Sequence, residues 1–120
     1  MYSAQMLGHF ERPRNAGELA HADASAEIEN PVCGDVIRIS LKLNAGRIAE
    51  IRFKAKGCVP AIACGSAVTE LALGKIPVEA REIKVGDIIE AVGGVPPASN
   101  HAAQLALEAL RAALAQLQKP

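Results

Sequence analysis

The run Asp35-Val36-Ile37-Arg38-Ile39-Ser40-Leu41-Lys42-Leu43-Asn44-Ala45-Gly46-Arg47-Ile48-Ala49-Glu50-Ile51-Arg52-Phe53-Lys54-Ala55-Lys56 alternates in polarity almost from end to end. Over Asp35 to Leu43, the residues Ile37, Ile39, Leu41 and Leu43 face one way; Arg38, Ser40 and Lys42 face the other. A period of two is that of a half-buried strand. Asn44-Ala45-Gly46 supplies turn chemistry. Ala49, Ile51, Phe53 and Ala55 then alternate with Glu50, Arg52, Lys54 and Lys56, so the two runs predict a hairpin. Ser25 to Glu29 adds a candidate third strand. Alternation on one side only leaves one face of this sheet in need of a cover.

Helices on either side of the hairpin can supply it. A first helix is expected from Ser3 to about Phe10, ended by Arg12-Pro13-Arg14-Asn15-Ala16-Gly17. Pro60 suits a first helical position, and Ala61, Cys64, Val68 and Leu71 fall at helical spacing before Gly74. Lys84 to Gly93 reads as a short helix. The last helix, Asn100 to about Gln118, carries Leu107, Leu110, Leu114 and Leu117 on one side and Gln104, Glu108, Arg111 and Gln118 on the other. The expected fold is α+β, a three-stranded antiparallel sheet with helices on one face, in two layers.

The chain has 120 residues, half of them hydrophobic, which fits one ordered domain spanning residues 1–120. Its 13 basic and 13 acidic residues cancel to a formal charge of +0. That balance argues against broad electrostatic capture of nucleic acid or anionic membrane. No apolar run approaches the roughly 20 residues of a membrane span, and Met1 to Phe10 is too polar for a secretory signal. Three cysteines suit thiols or thiolate ligands in a reducing compartment, so a cytoplasmic location is expected.

The reactive side chains fall at the ends of elements. Cys33 and Asp35 lie in Asn30-Pro31-Val32-Cys33-Gly34-Asp35, just ahead of a strand, where a thiolate and a carboxylate can both point out of the sheet's end. The alternative is a turn with a small Cys packed beneath it. Cys58, in Gly57-Cys58-Val59-Pro60, sits at a helix N-terminus, which favours negative charge and lowers a thiol pKa; the alternative is a buried loop cysteine. Ser99 is a fair N-cap, which places His101 in the first turn of the last helix as a metal ligand or a plain surface residue. His9 and His21 have no such context and are expected to face solvent. Cys64 shares the apolar stripe of its helix, so its default is the core. Two thiolates, one carboxylate and one imidazole suit tetrahedral zinc or an exposed [2Fe–2S] unit.

These residues resemble the U-type iron–sulfur cluster scaffolds: IscU, SufU and the N-terminal domain of NifU. Tyr2-Ser3 and Pro13-Arg14-Asn15 are similar to that family's opening helix and following loop. Asn30-Pro31-Val32-Cys33-Gly34-Asp35 resembles its most specific motif. Gly57-Cys58 with Ala61-Ile62-Ala63, Ser66 and Thr69-Glu70 resembles its second, and Pro96-Pro97 with His101 its third. The resemblance implies a SufE/NifU-like fold. It also implies a scaffold, not an enzyme, that receives persulfide sulfur from a cysteine desulfurase, takes up iron and passes a [2Fe–2S] cluster to apo-acceptor proteins. By position it implies Cys33, Asp35 and Cys58 as ligands, and His101 as a ligand or switch ligand. Zinc is an alternative occupant of the same site, and a homodimer around a shared cluster is compatible with it.

The chain departs from the family's pattern at three positions. The third cysteine, which follows the histidine, is Ala102 here, and alanine takes up neither persulfide nor metal. Ser99 replaces the lysine of the Pro-Pro motif, which counts against chaperone docking. Cys64 stands where the family has serine and is a candidate substitute third thiol. Three functional readings follow: a cluster scaffold, a zinc-stabilised binding module that no longer builds clusters, and a sulfur relay with Cys58 as nucleophile beside His101.

Overall fold

The hairpin forms where the alternation places it. In the computed structural model, which describes residues 2–117, β2 (Val36–Asn44) pairs antiparallel with β3 (Arg47–Lys56), and β1 (Ala24–Glu29) joins the other side of β2. The strand order is therefore β1-β2-β3. Ala45 and Gly46 both have positive φ, 56° and 78°. That combination makes a two-residue turn whose twist matches the flanking strands.

One detail departs from uninterrupted alternation. Lys42 stands opposite Glu50 but Leu43 opposite Ile48, so Ala49 is left over in a bulge. The slip turns Ile48 into the core and leaves Ala49 exposed, the reverse of its expected side. A bulge changes which residue faces inward without ending the strand.

Ile37, Ile39, Leu41, Ile51 and Phe53 line the inner face of the sheet, covered by α2 (Val59–Ala72) and α5 (Asn100–Gln116). A first helix, α1 (Ala4–Glu11), lies against α2. Two short helices, α3 (Pro77–Ala80) and α4 (Val85–Ala91), connect the main pair. The first of these was not expected; the second falls inside the expected Lys84–Gly93. In α5, Leu107, Leu110 and Leu114 are buried, while Gln104, Glu108 and Arg111 are exposed. Gln118 lies outside the described residues. Among the described residues, no helix is long and apolar enough to cross a membrane.

The α2 helix is buried nearly all round rather than along one stripe. Its Ala, Gly and Ser residues allow close approach on every side. A Cβ at Gly65 would lie 2.7 Å from the Phe53 ring, so glycine lets that ring pack on the helix backbone. The far edge of β3 is closed by the chain before β1: Phe53 N–H donates to Asn15 C=O, and Gly17 N–H to Phe53 C=O, each at 2.9 Å. Three ends then meet at one side of the molecule: the β1–β2 loop, the β3–α2 corner and the start of α5.

His9 does not face solvent as expected. It is buried against α2, its Nδ1 2.8 Å from Ser66 Oγ, which also accepts the Arg14 N–H at 2.7 Å. The signal was its spacing three residues after Met6, the other buried side chain of α1. His21 is exposed, as expected.

Candidate metal centre

The β1–β2 loop is a tight, self-bonded turn. Asn30 Oδ1 accepts the Val32 N–H at 2.9 Å, and Asn30 C=O accepts the Gly34 N–H at 2.7 Å. Gly34 has φ +78°, a left-handed conformation that costs glycine little. The turn leaves Cys33 exposed at its tip and returns Asp35, largely buried, to the end of the sheet.

Lys56 pairs with Val36, so the next residue of β3's exit, Gly57, stands beside Asp35. A Cβ on Gly57 would fall 2.3 Å from Asp35 Oδ1. The carboxylate therefore occupies space that only a glycine leaves free. Cys58 follows as the N-cap residue of α2, but its side chain caps no backbone N–H. Its thiol instead donates to Asp35 Oδ2 at 3.2 Å.

That arrangement reverses the expected sign of its acidity. Burial pushes the Cys58 thiol up, and the Asp35 carboxylate adds to the rise; the backbone N–H of Ala61 pulls the other way but is outweighed. The helix N-terminus alone would favour thiolate. Here desolvation and a neighbouring anion win, so without metal the thiol is held as a donor to Asp35 and is poorly suited to nucleophilic attack.

His101 enters from the first turn of α5, its Nε2 3.7 Å from the same Asp35 Oδ2. Ser99, expected to cap that helix, makes no side-chain cap and lies in the single 3-10 turn Pro97–Ser99. One ligand atom each from Cys33, Asp35 and His101 lies within 4.8 Å of the others. Donors about 2.0–2.3 Å from a tetrahedral ion stand roughly 3.5 Å from one another, so a small closure would bring this trio to the spacing that a metal ion needs. Cys58 joins it through Asp35. Beside the trio is a cavity of about 400 Å³ lined by Asn30, Val32, Cys33, Ala98 and His101.

Cys64 takes no part. It is fully buried in the core, and burial, helped by the nearby Cys58 sulfur, pushes its thiol up to about 12. Ala102 is also fully buried and offers no donor atom. The converging trio thus offers one sulfur, one carboxylate and one imidazole, and the Cys58 sulfur beside Asp35 is the further donor within reach of it.

The sequence matches the profile of the NifU-like N terminal domain over residues 1–119. The chain belongs to that family. This NifU-like chain is 43% identical over 114 residues to the iron–sulfur cluster assembly scaffold protein IscU 1 of Archaeoglobus fulgidus, covering 95% of the chain and 74% of the relative. It is 42% identical over 118 residues to the scaffold protein IscU of Escherichia coli K12, covering 95% of the chain and 91% of the relative. In structure it is similar to a putative iron–sulfur cluster assembly scaffold protein for the SUF system from Fervidobacterium islandicum AW-1, with a TM-score of 0.79, 21% identity and coverage of 94% and 96%. The NifU-like family therefore carries the α+β architecture expected from the hairpin and its covering helices.

Proposed function

We propose that this chain is an iron–sulfur cluster assembly scaffold: a carrier, not an enzyme, whose cargo is iron or a [2Fe–2S] cluster. Cys33, Asp35, Cys58 and His101 are its ligands. One observation carries the reading: three chain segments distant in sequence bring these donors together around the Asp35 carboxylate. Four donors match the four protein positions of a [2Fe–2S] cluster, two on each iron. The family and the names of its relatives agree. A cysteine desulfurase supplies the sulfur, and apo-acceptor proteins receive the cluster. Residues 1–120 act as one domain, in the cytoplasm.

The test is anaerobic reconstitution with ferrous iron and sulfide. A visible-absorbing, chelator-sensitive chromophore is expected, abolished by Cys33→Ala or Cys58→Ala with the fold retained. A colourless product with no bound iron would overturn it.

A second reading is a zinc-binding module without cluster assembly. It is favoured by the donor count, since burial of Ala102 and Cys64 leaves only two thiols at the centre. Two sulfurs, one nitrogen and one oxygen make a closed tetrahedral zinc site. On this reading elemental analysis gives about one zinc per chain, iron uptake fails, and chelation lowers the melting temperature because metal binding is coupled to folding. An unchanged melting curve after complete metal removal counts against it.

A further inference from the structure

The two edges of the sheet are treated differently. That of β3 is closed at Phe53 by Asn15 and Gly17. Among the described residues, that of β1 is closed only near its start, at Ser25, by the end of α5. There the Gln116 side-chain amide accepts the Ser25 N–H at 3.1 Å and donates to the Ser25 C=O. A primary amide has the donor and acceptor of a peptide group, so Gln116 occupies the place of one residue of an antiparallel strand.

The edge continues beyond it. The hydrogen-bonded pair Asn30–Asp35 sets the register, so Ala24, Ala26 and Ile28 turn their backbone groups toward β2 while Ser25, Glu27 and Glu29 turn theirs outward. Glu27 and Glu29 are exposed, and among the described residues their outward N–H and C=O groups have no partner. Immediately after Glu29 the chain enters the Asn30–Cys33 turn. A strand laid along this edge would therefore reach from Gln116 to the metal centre.

We infer that the β1 edge is a docking site for an extended segment of a partner protein, added antiparallel as a fourth strand and carrying Lys or Arg at alternate positions. Backbone bonds to Glu27 and Glu29 supply the attachment, as in strand addition generally. The side chains of Glu27 and Glu29 lie on the outer face of the sheet, where Glu27 has Arg38 opposite it on β2 and Glu29 has Val36, so Glu29 is the carboxylate with no cation across β2; the partner residues opposite them lie on that face too. Opposite charges there stabilise the pair and like charges oppose it. The partner residues between them face the half-buried Ala26 and Ile28, where apolar side chains fit. The same charges oppose a second copy of this chain: two β1 strands paired antiparallel about Glu27 would set the two Glu27 carboxylates opposite each other.

The experiment uses the full chain, isotopically labelled, and a blocked eight-residue peptide alternating Lys and Val. Backbone amide exchange at Glu27 and Glu29 should slow at least tenfold at saturation, with exchange at Phe53 unchanged. The double variant Glu27→Lys/Glu29→Lys, at two exposed positions, should bind this peptide at least tenfold more weakly and prefer its Glu/Val counterpart. Unchanged exchange at Glu27 and Glu29, equal binding by the charge-reversed variant, or self-association through β1 in sedimentation would each overturn the assignment. None of these readouts depends on whether the centre carries iron, zinc or nothing.

Discussion

The Cys58 thiol meets the Asp35 carboxylate at 3.2 Å across a separation of 23 residues, and Gly57 makes the meeting possible. The carboxylate lies where a side chain at 57 would begin. Asp35 is thereby fixed between the thiol of Cys58 and the imidazole of His101, 3.7 Å away. The order of the centre is set by a side chain that is missing.

Gly57→Ala should therefore loosen the centre. The new Cβ would stand 2.3 Å from Asp35 Oδ1, so the carboxylate must move, and φ +150° at this position strains any L side chain. Such strain costs about 1–3 kcal/mol. Zinc affinity, measured by competition with a chromophoric chelator, should fall at least tenfold while far-ultraviolet circular dichroism is retained. Unchanged affinity would show that the close approach does not position the carboxylate.

The buried His9 should make the attachment of α1 sensitive to acid. Desolvation lowers its pKa; Glu70 opposes the shift, and Arg14 adds to it. A depressed histidine is neutral in the fold but protonates near 6.5 in the unfolded chain. Its contribution is therefore fully present above about pH 6.5 and is lost as the pH falls through the lower folded value. Urea unfolding at pH 7.5 and 5.5 should show a larger loss for the native sequence than for His9→Gln. Equal losses would remove His9 from the acid response.

Much of this was legible in the residues, for identifiable reasons. Period-two alternation marks β2 and β3 because each strand has one wet face, and Asn44-Ala45-Gly46 marks the turn. Cys33, Asp35, Cys58 and His101 stood out because each lies at the end of an element, where side chains from different elements can converge. Ala49 was misplaced because a bulge leaves no trace in a polarity pattern. His9 was misplaced because a histidine bonded to Ser66, 57 positions away, looks in sequence like a surface histidine. The acidity of Cys58 was misjudged because desolvation and Asp35 act through tertiary proximity, whereas the helix N-terminus is local.

The hairpin turn offers a stabilising change. Ala45 adopts φ +56°, where its Cβ is unfavourable by about 1–2 kcal/mol. Asparagine tolerates this region and precedes glycine in the preferred turn of this type. Ala45→Asn should raise stability by about 1 kcal/mol and the melting temperature by a few degrees, without altering metal uptake. Calorimetry checks the first effect and metal titration the second. A lowered melting temperature would show that the turn relaxes at no cost.

Cys64 gives the sharpest separation between core and centre. Its thiol is fully buried and pushed up to about 12 from an ordinary 9.0. In the metal-free folded protein, iodoacetamide at pH 8 should modify Cys33 fastest, Cys58 more slowly because Asp35 holds its proton, and spare Cys64, which should react only in denaturant. The unfolded chain loses this proton first, so the thiol's contribution is complete below about pH 9 and is lost as the pH rises from there toward 12. Cys64→Ala should cost about 1–2 kcal/mol through lost packing, flatten that alkaline loss, and leave metal stoichiometry unchanged. A fall in bound metal with the fold intact would make Cys64 the substitute third thiol and require the start of α2 to unwind around it.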